Sequence, residues 1–201
     1  MKYLLILTLT LFFSSSLFSF EQADLDKFLK TNDCQECDLS NADLSNKDFT
    51  NANLSGSNLS NANLSNSIFV KSNMWGVDLT GANLINTNLR ASNLTGADII
   101  DIDKCDNTTF KGVTFSNATF ENVSCTNLSI WSARFLETTF ENTDFTNAGG
   151  AYASFRDVDL SDLNIKGAIF WNTKFTDTIV KKEDCTHLKN EEAILKNVEC
   201  K

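Results

Sequence analysis

Large apolar residues recur at every fifth position along most of this chain. One run extends over residues 39–99, and after a single six-residue step a second run extends over residues 105–180, with one gap at Gly150. In most five-residue units a small residue such as Ala42 precedes the large one by two positions, and Asn, Asp, Ser, Thr or Gly fills the rest. This spacing is the strongest structural signal in the sequence.

A period of five matches neither the α-helix, which repeats every ~3.6 residues, nor the strand, which repeats every ~2. The chain must therefore turn a corner within each unit. Four such sides would return it to its starting direction and would stack successive coils at the strand spacing of ~4.8 Å. We therefore predict an all-β solenoid in which each side directs one large and one small residue toward a common axis.

The repeated unit resembles that of a known family. The segments NADLS at residues 41–45 and GANL at residues 81–84 are similar to the repeats of pentapeptide-repeat proteins. The resemblance covers residues 39–180 and implies that family's fold, a right-handed quadrilateral β-helix, here with about seven coils. Each large residue contributes ~1.5–3 kcal/mol on burial, so such a chain can be stable without conventional packed layers.

Residues one coil apart should form columns. One inner column changes from Leu to Phe partway along the chain, which predicts a wider second half; its members are Leu54, Met74, Leu94, Phe115, Phe135, Phe155 and Phe175. One outer column consists of Asn alone, and we expect amide–amide hydrogen bonds along it; its members are Asn46, Asn66, Asn86, Asn107, Asn127 and Asn147. Gly150 lies in an inner column, so we expect the coil to be distorted there.

The first twenty residues differ from the repeat. Lys2 precedes eighteen uncharged, largely apolar residues that end at Phe20, and acidic residues follow. This order is typical of a secretory signal peptide, here residues 1–20. We therefore predict an exported protein in the periplasm, or in the thylakoid lumen if the organism is a phototroph. The alternative is an uncleaved membrane anchor, because this length is near the lower limit for spanning a bilayer, and we expect no membrane contact otherwise.

A solenoid needs caps because its terminal coils expose unpaired strand edges. We expect residues 21–38 to form a helical cap and a Cys-x-x-Cys segment ahead of the β-helix at 39–182, with Leu25, Phe28 and Leu29 on one apolar helix face. Residues 183–201 should form a second helical cap, with the helix over 186–198. This second helix could instead form a dimer interface, so both a monomer and a dimer are consistent with the sequence.

Six cysteines in an exported chain favour disulfides over metal ligands; they are Cys34, Cys37, Cys105, Cys125, Cys185 and Cys200. The first two precede the first coil, as a Cys-x-x-Cys does in similar exported proteins of the family. The middle two are one coil apart, within bridging distance, and the last two bracket the expected terminal helix. We therefore expect the pairs 34–37, 105–125 and 185–200. A redox dithiol at 34–37 lacks a βαβ context, and a zinc site would have His187 as its single imidazole.

Composition and charge narrow the chemistry. The net charge of -9 argues against direct binding of nucleic acid through a basic surface. The sequence has no glycine-rich phosphate loop, no Gly-x-Ser-x-Gly, no His-Glu-x-x-His and no His beside a nucleophile. We therefore expect no enzyme activity, no catalytic residue, no metal and no cofactor.

One outer edge of the predicted coil departs from small polar residues. It carries a basic stretch that leads into an aromatic one, on an otherwise acidic rod; its members are Lys71, Arg90, Lys111, Trp131, Tyr152 and Trp171. Exposed aromatic and Arg residues are enriched where proteins bind partners. We take this edge as the candidate partner-binding site, the alternative being that its rings only cover the coil at Gly150.

Two function classes are consistent with these features. The first is a non-catalytic, exported scaffold that binds a protein partner not identified by the sequence. The second follows from the family resemblance, since some members mimic duplex DNA and inhibit type II topoisomerases such as gyrase. The signal peptide argues for the first class, because export would separate the protein from gyrase.

Overall fold

The computed structural model describes residues 21–201; the expected signal peptide at residues 1–20 lies outside the described residues. The described chain contains no helix that is both long and apolar enough to cross a membrane. It forms a β-solenoid, as the five-residue period predicted, and every period-five position from residue 39 to residue 180 is buried.

The solenoid has four sides, which we name faces A to D in chain order. All pairing between successive coils is parallel. Face A is the longest ladder; its paired positions are Asp33, Asn53, Asn73, Asn93, Thr114, Arg134, Ser154, Lys174 and Ile194. Face B begins at Asp38, face C at Asp43 and face D at Asp48, and each repeats at the same interval.

Regular elements are short because each side of the coil is short. The helices are α1 Gln22–Thr31 and α2 Lys182–Asn190. The strands are β1 Asp98–Ile100, β2 Thr119–Glu121, β3 Arg134–Leu136, β4 Thr139–Glu141, β5 Thr143–Asp144, β6 Ser154–Arg156, β7 Leu163–Asn164, β8 Lys174–Thr176, β9 Ile179–Val180, β10 Ile194–Lys196 and β11 Glu199–Cys200. Before residue 98 the coils pair through isolated bridges.

Some of the small inward residues also form hydrogen bonds between coils. Where they are Ser or Thr, most of the buried hydroxyls donate a hydrogen bond to a carbonyl oxygen of the preceding coil, as from Ser67 to Leu44 at 2.7 Å and from Thr87 to Leu64 at 2.9 Å. Ser92 instead donates to Leu89 of its own coil, and the Thr178 hydroxyl has no partner among the described residues. A buried hydroxyl without a partner would be costly. These bonds therefore explain why Ser and Thr alternate with Ala at this position.

The expected outer ladder of Asn46 and its equivalents is explained differently by the structure. Only one amide–amide bond joins its described members, from Asn86 Nδ2 to Asn66 Oδ1 at 3.0 Å. All six residues instead have positive φ, for example 57° at Asn66 and 59° at Asn147. Asn tolerates this left-handed conformation better than most side chains do. The column is therefore Asn mainly because the corner requires this backbone.

The predicted Phe column is present and its rings stack, but the expected distortion at Gly150 is wrong. Phe115, Phe135, Phe155 and Phe175 stack in series with ring centroids 4.5–5.0 Å apart. At Gly150 the coil is regular, and a Cβ atom there would lie 2.6 Å from two ring carbons of Phe170. The missing side chain is thus replaced by the ring of the next coil.

The coil is interrupted at another level. On face B, Thr119 pairs with Thr139 and Asp159 pairs with Ile179, but Thr139 and Asp159 are not paired with each other. Glu137 and Asp157 also lie one coil apart beside the gap. The face B ladder is therefore open at this level, beside these two carboxylates.

The N-terminal cap agrees with the prediction in most respects. Helix α1 closes the first coil with Phe28, which is fully buried and stacks on Phe49 with ring centroids 4.6 Å apart. Leu25 packs against the core. The prediction for Leu29 is wrong, since it is exposed.

The predicted helix over residues 186–198 is wrong. Helix α2 spans Lys182–Asn190, replaces two sides of a coil and buries Cys185 and Leu188. The chain then re-enters the solenoid, where β10 pairs with β8 and β11 pairs with β9. The ladders therefore start before residue 39 and continue beyond residue 180, so the number of coils differs slightly from the predicted seven.

Candidate functional site

Four of the predicted site residues form one continuous row, which we call the aromatic stripe: Lys111, Trp131, Tyr152 and Trp171. The Lys111 ammonium lies 3.8 Å from the Trp131 ring centroid. Tyr152 packs edge-to-face between the two indoles, with ring centroids 5.6 Å from Trp131 and 5.1 Å from Trp171. The row runs along the edge between faces D and A.

The coil geometry explains how this row is continuous. Trp131 and Trp171 occupy the same position two coils apart, just after the inward residue of face D, and the intervening coil has Ala151 at that position. The next residue, Tyr152, sits at the corner with φ of 60° and places its ring in the gap. A rigid left-handed corner thus positions the central ring of the stripe.

The stripe is fixed at its far end as well. The Trp171 indole N–H donates a hydrogen bond of 3.0 Å to the Glu192 carboxylate, on the turn after α2. The three rings nevertheless stay open to solvent, with exposed fractions of 39% for Trp131, 46% for Tyr152 and 43% for Trp171. Large, pre-ordered and half-exposed rings lose little conformational entropy on binding.

The other two predicted residues continue the same edge without joining the row. Lys71 and Arg90 are exposed and lie on the two coils before that of Lys111. Their role in binding is a prediction that geometry does not test.

Face A beside the stripe is basic, which the sequence analysis missed. Arg134, Arg156 and Lys174 point outward from this face at successive levels, since Arg134 and Lys174 both pair with Ser154 and Arg156 follows two residues later. Over residues 21–201 the ion pairs are Arg156 with Asp157 and Lys201 with Glu199. Arg134 and Lys174 therefore lack a carboxylate partner within that part of the chain. The ladder pairing, rather than the five-residue period alone, reveals this cluster.

Acidic residues line a cleft on the opposite edge of face A. The cleft, of about 280 Å³, lies at the interruption of face B; its lining residues are Glu137, Thr138, Thr139, Phe140, Asp157 and Asp159. The groups of catalytic type in this lining are carboxylates and the hydroxyls of Thr138 and Thr139, and the lining includes no imidazole, thiol or amine.

The cysteines form three disulfides in the pairs expected from the sequence. Cys34 joins Cys37, Cys105 joins Cys125 and Cys185 joins Cys200, with Cα–Cα distances of 5.4, 5.1 and 6.2 Å. Two of these bridges tie the ends of the solenoid, and the middle one joins the first two coils after the six-residue step.

The remaining groups of metal-binding or catalytic type have other roles. Ligand-type atoms of Asp24, Cys34 and Cys37 lie within 4.8 Å of one another. Both sulfurs are joined in the disulfide, and the Asp24 carboxylate accepts the Asp38 N–H at 2.9 Å. His187 Nε2 lies 2.8 Å from the carbonyl oxygen of Ala168. These groups therefore support the structure of the two ends.

Comparisons with known proteins agree with the repeat. The model of the pentapeptide repeat family matches with 8 copies, over residues 33–69, 57–96 and 72–103. No curated protein matches the chain.

Solved pentapeptide repeat proteins resemble the chain at low identity. HetL from the cyanobacterium Nostoc sp. strain PCC 7120, involved in heterocyst differentiation regulation, is 17% identical, with 84% of this chain and 85% of that chain covered and a TM-score of 0.36. A thylakoid-lumen protein of Arabidopsis thaliana is 17% identical, with 78% and 75% covered and a TM-score of 0.31. Full-length QnrB1, a plasmid-mediated fluoroquinolone resistance protein, is 17% identical, with 84% and 82% covered and a TM-score of 0.34.

Proposed function

Since the chain belongs to the pentapeptide-repeat family, we propose that it is an exported, non-catalytic scaffold that binds a protein partner through the aromatic stripe. The observation that carries this proposal is the unbroken contact from Lys111 through Tyr152 to Trp171 on an exposed edge. Trp and Tyr dominate the binding energy of many protein interfaces. Rings already held by their neighbours are suited to that role.

The rod around the stripe supports a scaffold rather than an enzyme. The described cleft is lined by carboxylates and threonines, and the one imidazole is engaged at α2. The three disulfides suit an oxidising compartment and hence export. The solenoid then serves to hold one contact edge rigid.

A DNA-mimicking role receives less support. A mimic of duplex DNA would need negative charge on the surface it presents, whereas the outward positions of face A from residue 53 to residue 176 contain no carboxylate. Apart from Asp33 at the start of face A, the paired acidic positions lie on the other sides, as Asp98 and Asp159 do on face B.

Site-specific photo-crosslinking tests the proposed function. A photoreactive phenylalanine analogue replaces Tyr152, and in a control chain it replaces the exposed Ser124 on face C, across the rod. We expect the chain labelled at position 152 to form a discrete crosslinked product in the exported fraction, and the chain labelled at 124 to form none. Equal crosslinking from both positions would contradict a stripe-specific partner.

Cell fractionation tests the export itself. We expect the mature protein, cleaved near residue 20, in the exported fraction with all six cysteines oxidised. Full-length protein with free thiols in the cytoplasm would contradict the proposal.

A further inference from the structure

The charges on face A say more about the partner than the stripe does. Six cations occupy face A and its edge with face D between residues 50 and 176, and no Asp or Glu shares these outward positions. We call this set the cationic strip; its members are Lys71, Arg90, Lys111, Arg134, Arg156 and Lys174. The whole chain has a net charge of -9, so a strip of one sign is a local exception.

Building on the proposed function, we infer that the partner presents an extended, acidic segment with interspersed apolar side chains, which lies along the cationic strip and over the aromatic stripe. Complementary charge selects partners and orients their approach. Because five of the six cations have no ion pair within residues 21–201, they are free to meet the carboxylates of a partner.

The width of the strip selects a narrow occupant. Face A is about three residues, or ~10 Å, wide. Its far edge carries Glu137, Asp157 and Asp177, which occupy successive corners with positive φ. A broad anionic surface, such as a bilayer, would be repelled by these carboxylates, whereas a single extended chain need not reach them.

The length of the strip sets the length of the segment. Lys71 and Trp171 lie five coils apart, which corresponds to ~24 Å along the solenoid axis at the strand spacing. An extended chain covers this distance with about seven residues. Glu192 accepts the Trp171 N–H at one end. That carboxylate is therefore already engaged, and we expect acidic residues of the partner to lie along Arg134, Arg156 and Lys174 of face A, with apolar residues over the rings.

A peptide-binding measurement tests this inference directly. The probe is a fluorescent peptide that repeats Glu-Glu-Leu, with Gln-Gln-Leu and Lys-Lys-Leu peptides of equal length as controls, measured by anisotropy with the full mature chain. We expect the Glu peptide to bind, the other two to bind much more weakly, and the affinity to fall with salt.

Two charge-matched variants distinguish the effect of the cationic strip from the effect of the net charge of the chain. Arg134→Glu with Lys174→Glu reverses two exposed cations of face A. Lys104→Glu with Lys166→Glu reverses two exposed cations of face C and its edge with face D. We expect the first variant to lose affinity for the Glu peptide by about tenfold or more and the second by about twofold or less. Equal losses, or equal binding of the Gln peptide, would overturn the inference.

The same variants separate this inference from the proposed function and from a membrane. If the crosslink from position 152 persists in Arg134→Glu with Lys174→Glu, the stripe binds a protein but that protein is not held by its acidic residues. If wild type, but not this variant, sediments with vesicles of phosphatidylglycerol and phosphatidylcholine, the strip binds a lipid surface and the inference fails. We expect no such sedimentation, and an Asp- and Glu-rich sequence at the crosslinked site of the partner.

Discussion

The two halves of the solenoid share one backbone path but differ in what holds and covers it. Before residue 98 the inner columns are mostly Leu and Ala, and the coils pair through isolated bridges. On face A of that half, side-chain amides donate hydrogen bonds of 3.1–3.4 Å from one coil to the preceding one: Asn53 to Asp33, Asn73 to Asn53 and Asn93 to Asn73. After residue 98 the core becomes a Phe stack, and the strands lengthen.

The face A column that contains these Asn residues in the first half has different side chains in the second half. In the second half its members are Thr114, Arg134, Ser154 and Lys174, whose side chains form no such chain of bonds along the face. Side chains that are not used to tie coils together are free to contact a partner. The inner columns therefore set the geometry of the coil, and outer side chains of the second half form the aromatic stripe and four of the six cations of the strip.

The Phe stack should be the most sensitive feature of the second half. Phe135 stacks between Phe115 and Phe155, and Phe135→Ala should cost about 3–5 kcal/mol of unfolding free energy. The matched change in the same column of the first half, Leu94→Ala, removes fewer atoms and should cost less. Urea denaturation followed by circular dichroism measures both. A larger loss at Leu94 would contradict the greater dependence of the second half on its core.

The disulfide at the junction of the halves should rank second. Cys105 and Cys125 close a loop with a sequence separation of 20, whereas Cys34 and Cys37 have a separation of 3. The loop-entropy relation predicts a loss of about 3 kcal/mol when the longer bridge is replaced by two Ala, and about 2 kcal/mol for the shorter one. Thermal and urea unfolding of the two double variants test this order of stability losses. A greater loss of unfolding free energy for the variant without the 34–37 bridge would contradict it.

Gly150 tests whether the second half is as tightly packed as its rings indicate. An added Cβ atom would lie 2.6 Å from the Phe170 ring and 3.3 Å from the Ile169 carbonyl oxygen, so Gly150→Ala should cost about 1–3 kcal/mol. The neighbouring Gly149 has nothing within 4 Å of the same position, and Gly149→Ala should stay within about 0.5 kcal/mol of wild type. Similar unfolding midpoints for the two variants would contradict close packing at Gly150.

The amide ladder of the first half should have the smallest effect. Asn73 Nδ2 donates to Asn53 and its Oδ1 accepts from Asn93, so Asn73→Ala should cost about 1 kcal/mol. Ser154→Ala, in the same column of the second half, breaks no bond of this kind and should be near neutral. If the two changes prove equal in urea titrations, the outer surfaces of the halves do not differ in this respect.

The sequence predicted the inner surface of the coil better than its outer surface. Burial depends on the five-residue period, which is visible from residue 39 to residue 180 except at the six-residue step before Cys105 and at Gly150. The role of Asn66 and Asn147 depends on backbone φ at the corner, which the period does not reveal. The same limit explains Gly150, where the compensating ring belongs to a residue one coil away.

The C-terminal end was mispredicted although a signal was present. Leu195 lies twenty residues after Phe175, and Cys200 lies twenty after Val180, so the period resumes beyond α2. Apolar residues at helical spacing suggested a continuous helix instead. Pairing with β8 and β9 prevailed because it satisfies their backbone groups, which would otherwise form an open edge.

The candidate site was predicted in part. The row from Lys111 to Trp171 follows from aligning residues one coil apart, whereas the contact of Trp171 with Glu192 requires the turn after α2 to return to the solenoid. Arg134 and Lys174 were missed because they lie on the flat face, where the sequence shows no break in the polar pattern.

The most direct test of the stripe is the affinity of the purified, crosslink-identified partner for three chains, measured by calorimetry. We expect Trp131→Ser with Trp171→Ser to weaken binding by about 30-fold or more, the size of an interface hot spot. Trp75→Ser removes an indole that lies outside the stripe and is more exposed, at 55%, than either Trp of the stripe, and it should leave the affinity unchanged. Equal affinities for all three chains, or an equal loss from Trp75→Ser, would contradict binding through the stripe.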